Sequence, residues 1–180
     1  TALMWAADAG KAATVKFLVE KGANPNYLDR KGMTAVMWAV SKGRKEMVAA
    51  LLNTGALVNL FYLTDLQRCL NGGNMKYIPD LGKNGKVEGK SPLMIAAEKG
   101  DVPMIALLIE KGAEVEVVND MGKTPLMYAA GAGKLEAVKL LLQSHATAEW
   151  KDFDGKKAVD YAEKSGNAEM VQLLRKAAGK

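Results

Sequence analysis

The stretch GKVEGKS, Gly85 to Ser91, is a place where these residue types could do chemistry. Glycine, four residues and then Gly-Lys-Ser would let backbone N–H groups cradle a nucleotide's phosphates, with the lysine reaching the outer ones. Only three residues separate Gly85 from Gly89, so the loop is one residue short. The lone histidine, His145, and the lone cysteine, Cys69, could act as base and nucleophile only if brought together, and no pattern in the chain does that. Met4, Met37, Met94 and Met127 recur in one repeated phrase and could form a ladder of soft thioether ligands. Successive packed helices lie roughly 10 Å apart, so no two of these sulfurs share an ion, and they read as adaptable core residues. Glu20, Glu110 and Glu136 fall on solvated helix surfaces without a carboxylate partner for acid–base work. The expectation is therefore a chain with no catalytic residue, no metal site and no cofactor.

The phrase that carries those methionines is the organising feature. TALMWAADAG at Thr1 returns as TAVMWAVSKG at Thr34, SPLMIAAEKG at Ser91 and TPLMYAAGAG at Thr124, with a worn copy, KAVDYAEKSG, at Lys157. Thr1 to Thr34, Ser91 to Thr124 and Thr124 to Lys157 are each 33 residues. Thr or Ser opens a first helix as its N-cap, with Pro or Ala just inside. A glycine follows nine residues after each start, and Gly22, Gly55 and Gly112 come twelve later, where a helix must end in the left-handed conformation. His145 stands in that place in the fourth copy and reads as a tolerated left-handed residue. Between the glycines, Val15, Leu18 and Val19, or Met47, Val48, Leu51 and Leu52, give one apolar face of a second helix. No unit of this size encloses its own apolar face, so the units must stack. A column at the repeat spacing, Trp5, Trp38, Ile95, Tyr128 and Tyr161, reads as packing in the seam between first helices.

Composition agrees with an ordered, packed chain. Of its 180 residues 49% are hydrophobic and 25% charged, which argues against disorder. The longest apolar runs, such as MIALLI from Met104, fall far short of the roughly 20 residues a bilayer span needs, so no membrane insertion is expected. A single cysteine rules out an internal disulfide and fits a reducing compartment; the default expectation is cytoplasmic, with periplasmic or host-directed settings open. The net charge of +5 is well below a polybasic signature, so nucleic acid is not the expected partner.

The 33-residue period, with TPLMYAA followed by GKLEAVKLLLQ, resembles the ankyrin repeat family over residues 1–60 and 86 to about 178. The resemblance implies an all-α repeat solenoid of stacked helix-turn-helix units with β-hairpin loops, here as one domain over residues 1–180. Its repeats would lie at about 1–28, 29–61, 86–118, 119–151 and 152–180. The family most often has His where this chain has methionine, and the expectation is that a polar tether is thereby replaced by apolar packing. The last unit carries Lys, Glu and Gln at outer positions, as a terminal repeat needs, and the absence of a turn before Thr1 suggests a segment upstream.

The resemblance also implies recognition of another protein through hairpin tips and first helices, by a monomer. Carried over unit by unit, the contact positions are Arg30, Lys31, Met33, Ser41 and Lys42, then Val87, Glu88, Lys90, Glu98 and Lys99. Next come Asp120, Met121, Lys123, Gly131 and Ala132, and finally Phe153, Asp154, Lys156, Lys164 and Ser165. Met33, Met121 and Phe153 are expected as exposed apolar anchors. From Thr34 to Ser91 is 57 residues, 24 more than one period, and the excess falls at about 62–85. That segment reads either as a finger bearing Tyr62, Tyr77 and Ile78 toward a partner or as a decayed repeat filling the stack. Two rival roles stand beside the scaffold. One is a regulatory arm of a larger protein; the other is an anionic nucleic-acid or lipid binder using Arg30, Lys31, Lys42, Arg44, Lys90, Lys99 and Lys123, which would be steeply salt-dependent.

Overall fold

The structure, a computed structural model, describes residues 1–29, 32–60 and 89–179. Arg30, Lys31 and residues 61–88, with them Tyr62, Cys69, Tyr77, Ile78, Val87, Glu88 and the whole 62–85 segment, lie outside the described residues. Among those described, every regular element is a helix. Five inner helices, α1 (Ala2–Asp8), α3 (Ala35–Ser41), α5 (Pro92–Lys99), α7 (Pro125–Gly131) and α9 (Ala158–Ser165), alternate with five outer ones. The outer set is α2 (Ala12–Glu20), α4 (Lys45–Asn53), α6 (Val102–Glu110), α8 (Leu135–Gln143) and α10 (Ala168–Ala178). None is long and apolar enough to cross a membrane.

These helices run from 7 to 11 residues, too short to be stable alone, so tertiary packing must hold them. The inner ones start as the sequence predicts. The hydroxyls of Thr34 and Ser91 accept the backbone N–H of Met37 and Met94 at 3.1 and 3.2 Å, and Thr1 and Thr124 do the same for Met4 and Met127. The methionines then do more than pack, which corrects the sequence reading. The Met37 and Met94 sulfurs accept the N–H of Thr34 and Ser91, both at 3.4 Å, and the Met4 sulfur accepts from the Thr1 nitrogen at 3.5 Å. Thr34 and Ser91 are only 1% exposed, so without the thioether a buried donor would be orphaned at a cost of about 1–3 kcal/mol. Lys157 lacks a hydroxyl, and there the Asp160 carboxylate reaches back to its N–H at 2.6 Å.

One apolar core runs from Leu3 to Leu174 through all the helix pairs. Inner helices carry alanine where backbones approach most closely, at Ala6, Ala7, Ala39, Ala96, Ala97, Ala129, Ala130 and Ala162, all buried. Each inner helix packs on the next, α1 on α3, α3 on α5, α5 on α7 and α7 on α9, and the outer helices follow the same order.

A second set of contacts ties each unit to its neighbour. The Asn26 carboxamide oxygen accepts the N–H of Leu57 at 2.7 Å while its N–H donates to the carbonyl of Gly55 at 3.5 Å. Asn59 repeats this with Glu114 N–H at 2.9 Å and the Gly112 carbonyl at 3.2 Å. Glu116 accepts from Thr147 N–H at 2.5 Å. The sequence separations are 31, 55 and 31, so the middle link spans 24 extra residues with the bond unchanged. Among the described residues α3 packs directly on α5 and α4 on α6.

Glu116 is the weak rung. Its second oxygen is buried without a hydrogen-bond partner, because a carboxylate cannot donate to the next carbonyl as Asn26 and Asn59 do. Glu116→Asn is expected to raise stability by about 1 kcal/mol. His145 has φ of 68° where Gly22, Gly55 and Gly112 have 87° to 91°, as the sequence predicts. His145→Gly removes a left-handed side-chain penalty and, after allowance for the freer unfolded chain, should add about 0.5 kcal/mol. Chemical denaturation of both variants checks the two values; a loss in either would contradict the respective assignment.

Candidate interaction surface

Three turns precede inner helices among the described residues, and each is organised by its first side chain. Asp29, Asn119 and Asp152 donate their own N–H to the carbonyls of Met33, Lys123 and Lys156 at 3.0, 3.1 and 2.9 Å, closing a one-bond hairpin with no strand ladder among the described residues. Their side-chain oxygens accept the returning N–H groups of Met33, Lys123 and Lys156 at 2.9, 2.9 and 2.8 Å. The remaining atom of each side chain meets the aromatic residue nine positions on. Trp38 Nε1 donates to Asp29 at 2.8 Å, Asn119 Nδ2 donates to the Tyr128 hydroxyl at 2.8 Å, and the Tyr161 hydroxyl donates to Asp152. The sequence marks these turns by their Asx-x-x-Gly spelling, yet the link to the aromatic column was missed; the constant spacing of nine was the available signal.

The turns also bind each other. Phe153 N–H donates to the Met121 carbonyl at 3.0 Å, and Gly89 N–H to the Asp120 carboxylate at 3.2 Å. Gly122, at φ 73°, has no room for a side chain: a Cβ there would stand 2.8 Å from the Phe153 ring and 3.0 Å from its backbone nitrogen.

Onto this frame the expected contact residues fall unevenly. Phe153 is 77% exposed and stands as the apolar tip. Met33 and Met121 are half-buried, and Met33 packs against the core, which corrects their assignment as exposed anchors. Lys99 is exposed, and Ser41 donates to the Trp38 carbonyl at 2.8 Å. Lys90 chelates both Glu98 oxygens at 2.8 Å and lies 4.8 Å from the Tyr128 ring of the next unit. Lys123 repeats the reach, 5.6 Å from Tyr161, and Lys164 sits 6.0 Å from the same ring. Lys42 lies 6.0 Å from the Trp38 ring. The lysine row and aromatic column thus interleave, with each lysine stem covering a ring. Ile95 and Tyr128 are buried seam residues as expected, and Trp5, in the first unit, is 77% exposed. Glu20, Glu110 and Glu136 are exposed on outer helices, as the sequence suggests.

A stack of helix pairs with turns projecting from one edge defines a repeat solenoid of the kind that recognises other proteins. The profile for ankyrin repeats (3 copies) matches residues 1–62, 66–152 and 93–180, and the chain belongs to the ankyrin repeat family. Comparison with curated proteins yields no match.

Asp152 gives the turns a measurable signature. Burial pushes its carboxyl up, but hydrogen bonds from the Tyr161 hydroxyl and the N–H groups of Lys156 and Asp154, with the Lys156 charge, bring it below the usual 3.8. A carboxyl depressed in the folded state stabilises fully above its unfolded value near 3.9 and loses that contribution as pH falls through the folded value. Asp152→Asn should keep the turn, since Asn119 fills the same role, while flattening the fall in melting temperature from about pH 5 to about pH 2. An unchanged acid limb in thermal melts would count against the assignment.

Proposed function

We propose that this chain is a non-catalytic scaffold, a monomer that holds a partner protein against its turns and inner helices. The observation that carries the reading is the pair of turns at Met121 and Phe153. An exposed aromatic tip, Phe153, is locked by a backbone bond to the Met121 carbonyl, so an apolar anchor exists before any partner arrives, and Lys123 and Lys164 lie over the Tyr161 ring that follows it in the chain. Association with such a surface costs little ordering entropy. The stack acts as one domain over residues 1–180, with repeats at about 1–28, 29–61, 86–118, 119–151 and 152–180 and residues 62–85 as a finger bearing Tyr62, Tyr77 and Ile78. The direct packing of the helices on either side supports a segment led out of the stack, although the second family match begins at residue 66, inside it. Arg30 and Lys31 extend the contact surface at the second turn.

Affinity capture from a lysate of the source organism tests the reading, using the intact chain, a Phe153→Ala/Lys123→Ala variant and a variant with 62–85 replaced by a short turn. A retained partner should bind at least about tenfold more weakly to one of the variants, the scale of a central hot spot, with helical content and melting unchanged. Equal capture by all three proteins would refute the assigned surface, and binding that collapses with modest added salt would favour an anionic ligand instead.

A further inference from the structure

Short loops join each inner helix to its outer helix, and along that edge of the stack the charges are out of balance. In the second, third and fourth units the edge carries Arg44, Lys45, Lys99 and Lys134, and among the described residues no carboxylate or other side-chain partner reaches any of the four. Arg44 is half-buried and the three lysines are exposed. The carboxylates of the same edge are engaged within the protein. Glu98 is chelated by Lys90 at 2.8 Å, Asp101 accepts the Met104 N–H at 3.1 Å, and Glu136 meets Lys139 at 2.9 Å, which leaves Glu46, beside Lys45, without a cation among the described residues. Two of the cations are also seated. A Cβ on Gly10 would stand 2.5 Å from Arg44 Nη1, and one on Gly100 would stand 2.8 and 2.9 Å from Lys134 Cδ and Cγ, so each side chain lies across the bare glycine of the preceding unit. In the third unit Asp101 takes the corresponding place over Gly43 and turns its charge to the cap of its own helix.

We infer that this edge binds an acidic segment of the partner protein, an extended stretch with one group of carboxylates on Arg44 and Lys45 and a second on Lys99 and Lys134. Arg44 and Lys134 belong to units two steps apart, about 20 Å at the usual spacing of packed helices. An extended chain covers that distance in about six residues, so the two acidic groups sit about six residues apart. A uniform polyanion such as nucleic acid fits the edge less well, because Glu46 and Asp101 interrupt the row of cations with negative charge. The guanidinium, already seated over Gly10, offers a forked donor that matches a carboxylate. The inference rests on the scaffold reading and deepens it: the turns supply an apolar anchor, and the edge selects the charge of a second stretch of the same partner.

The probe is the acetylated and amidated peptide DEPPPPDE, whose proline spacer holds its acidic pairs about 19 Å apart. NQPPPPNQ is the neutral control, and PPDEDEPP carries the same charge at a different spacing; binding is followed through the backbone amide resonances. Saturable shifts at Gly10, Lys45, Gly100 and Lys134, none at Phe153, and none with the neutral peptide are expected. PPDEDEPP should bind about two- to fivefold more weakly, and Arg44→Gln and Lys134→Gln should each weaken DEPPPPDE by a similar factor, the worth of one exposed ion contact. Lys176→Gln, which removes an exposed cation from the last turn of α10, should change nothing. Equal binding of the two charged peptides, an equal loss in Lys176→Gln, or no saturable shift in a chain whose melting is intact would overturn the assignment. Tighter binding of single-stranded oligothymidylate at the same amides would give the edge to nucleic acid and overturn it as well. Such a failure is separable from failure of the scaffold reading, which depends on capture through Phe153 and Lys123 and does not involve these residues.

Discussion

Each helix pair here is too small to cover its own apolar face, and that shortage governs everything else in the molecule. Outer helix α6 buries Met104, Ile105 and Leu108 on one side and leaves the other to water, while α5 is buried along most of its length by its neighbours as much as by its partner. The free energy of folding therefore resides between units, and stability should behave as a sum of nearest-neighbour terms. Apolar burial alone would permit sliding of one pair over the next. Register comes from polar groups whose geometry tolerates little error: the carboxamides of Asn26 and Asn59, which each read a donor and an acceptor on the following unit, and the Phe153–Met121 backbone bond at the turns.

The thioethers show how the same demand is met when side-chain chemistry changes. A cap with a buried N–H needs an acceptor three residues on, and at Thr34 and Ser91 a sulfur serves. Sulfur is a weak acceptor, but its flexible, polarizable side chain also fills the space between inner helices, since Met37 and Met94 are almost fully buried. One residue thus does two jobs, and the apolar reading of these methionines captured only one of them.

What was legible in the sequence was local. The helix starts at Thr34 and Ser91, the left-handed ends at Gly112 and His145 and the apolar faces of the outer helices depend on residues within one or two turns of each other, so period and residue type suffice. What stayed hidden was non-local. Asn26 finds its partners 29 and 31 residues away, Asn59 finds its own 53 and 55 away, and nothing in either neighbourhood announces the pairing. The contact residues fell between these cases. Phe153 is exposed because it stands at a turn tip, which the repeat position implies, whereas Met33 is drawn against the core by a turn that Asp29 tightens, which it does not.

Burial divides the aromatic residues between two roles along the solenoid. At Tyr128 the ring packs with Met94 and Val117 of the preceding unit and lies under Lys90, its hydroxyl is spent on Asn119, and its surface contributes to cohesion. Phe153, at a turn tip, is 77% exposed and keeps its ring in solvent. Burial, not residue type, decides which of the two an aromatic does: apolar area already removed from water cannot be removed again by a ligand, whereas an uncovered ring retains that free energy for binding. A repeat array can in this way keep its seam aromatics for cohesion and leave recognition to its turn tips, with the fold between them unchanged.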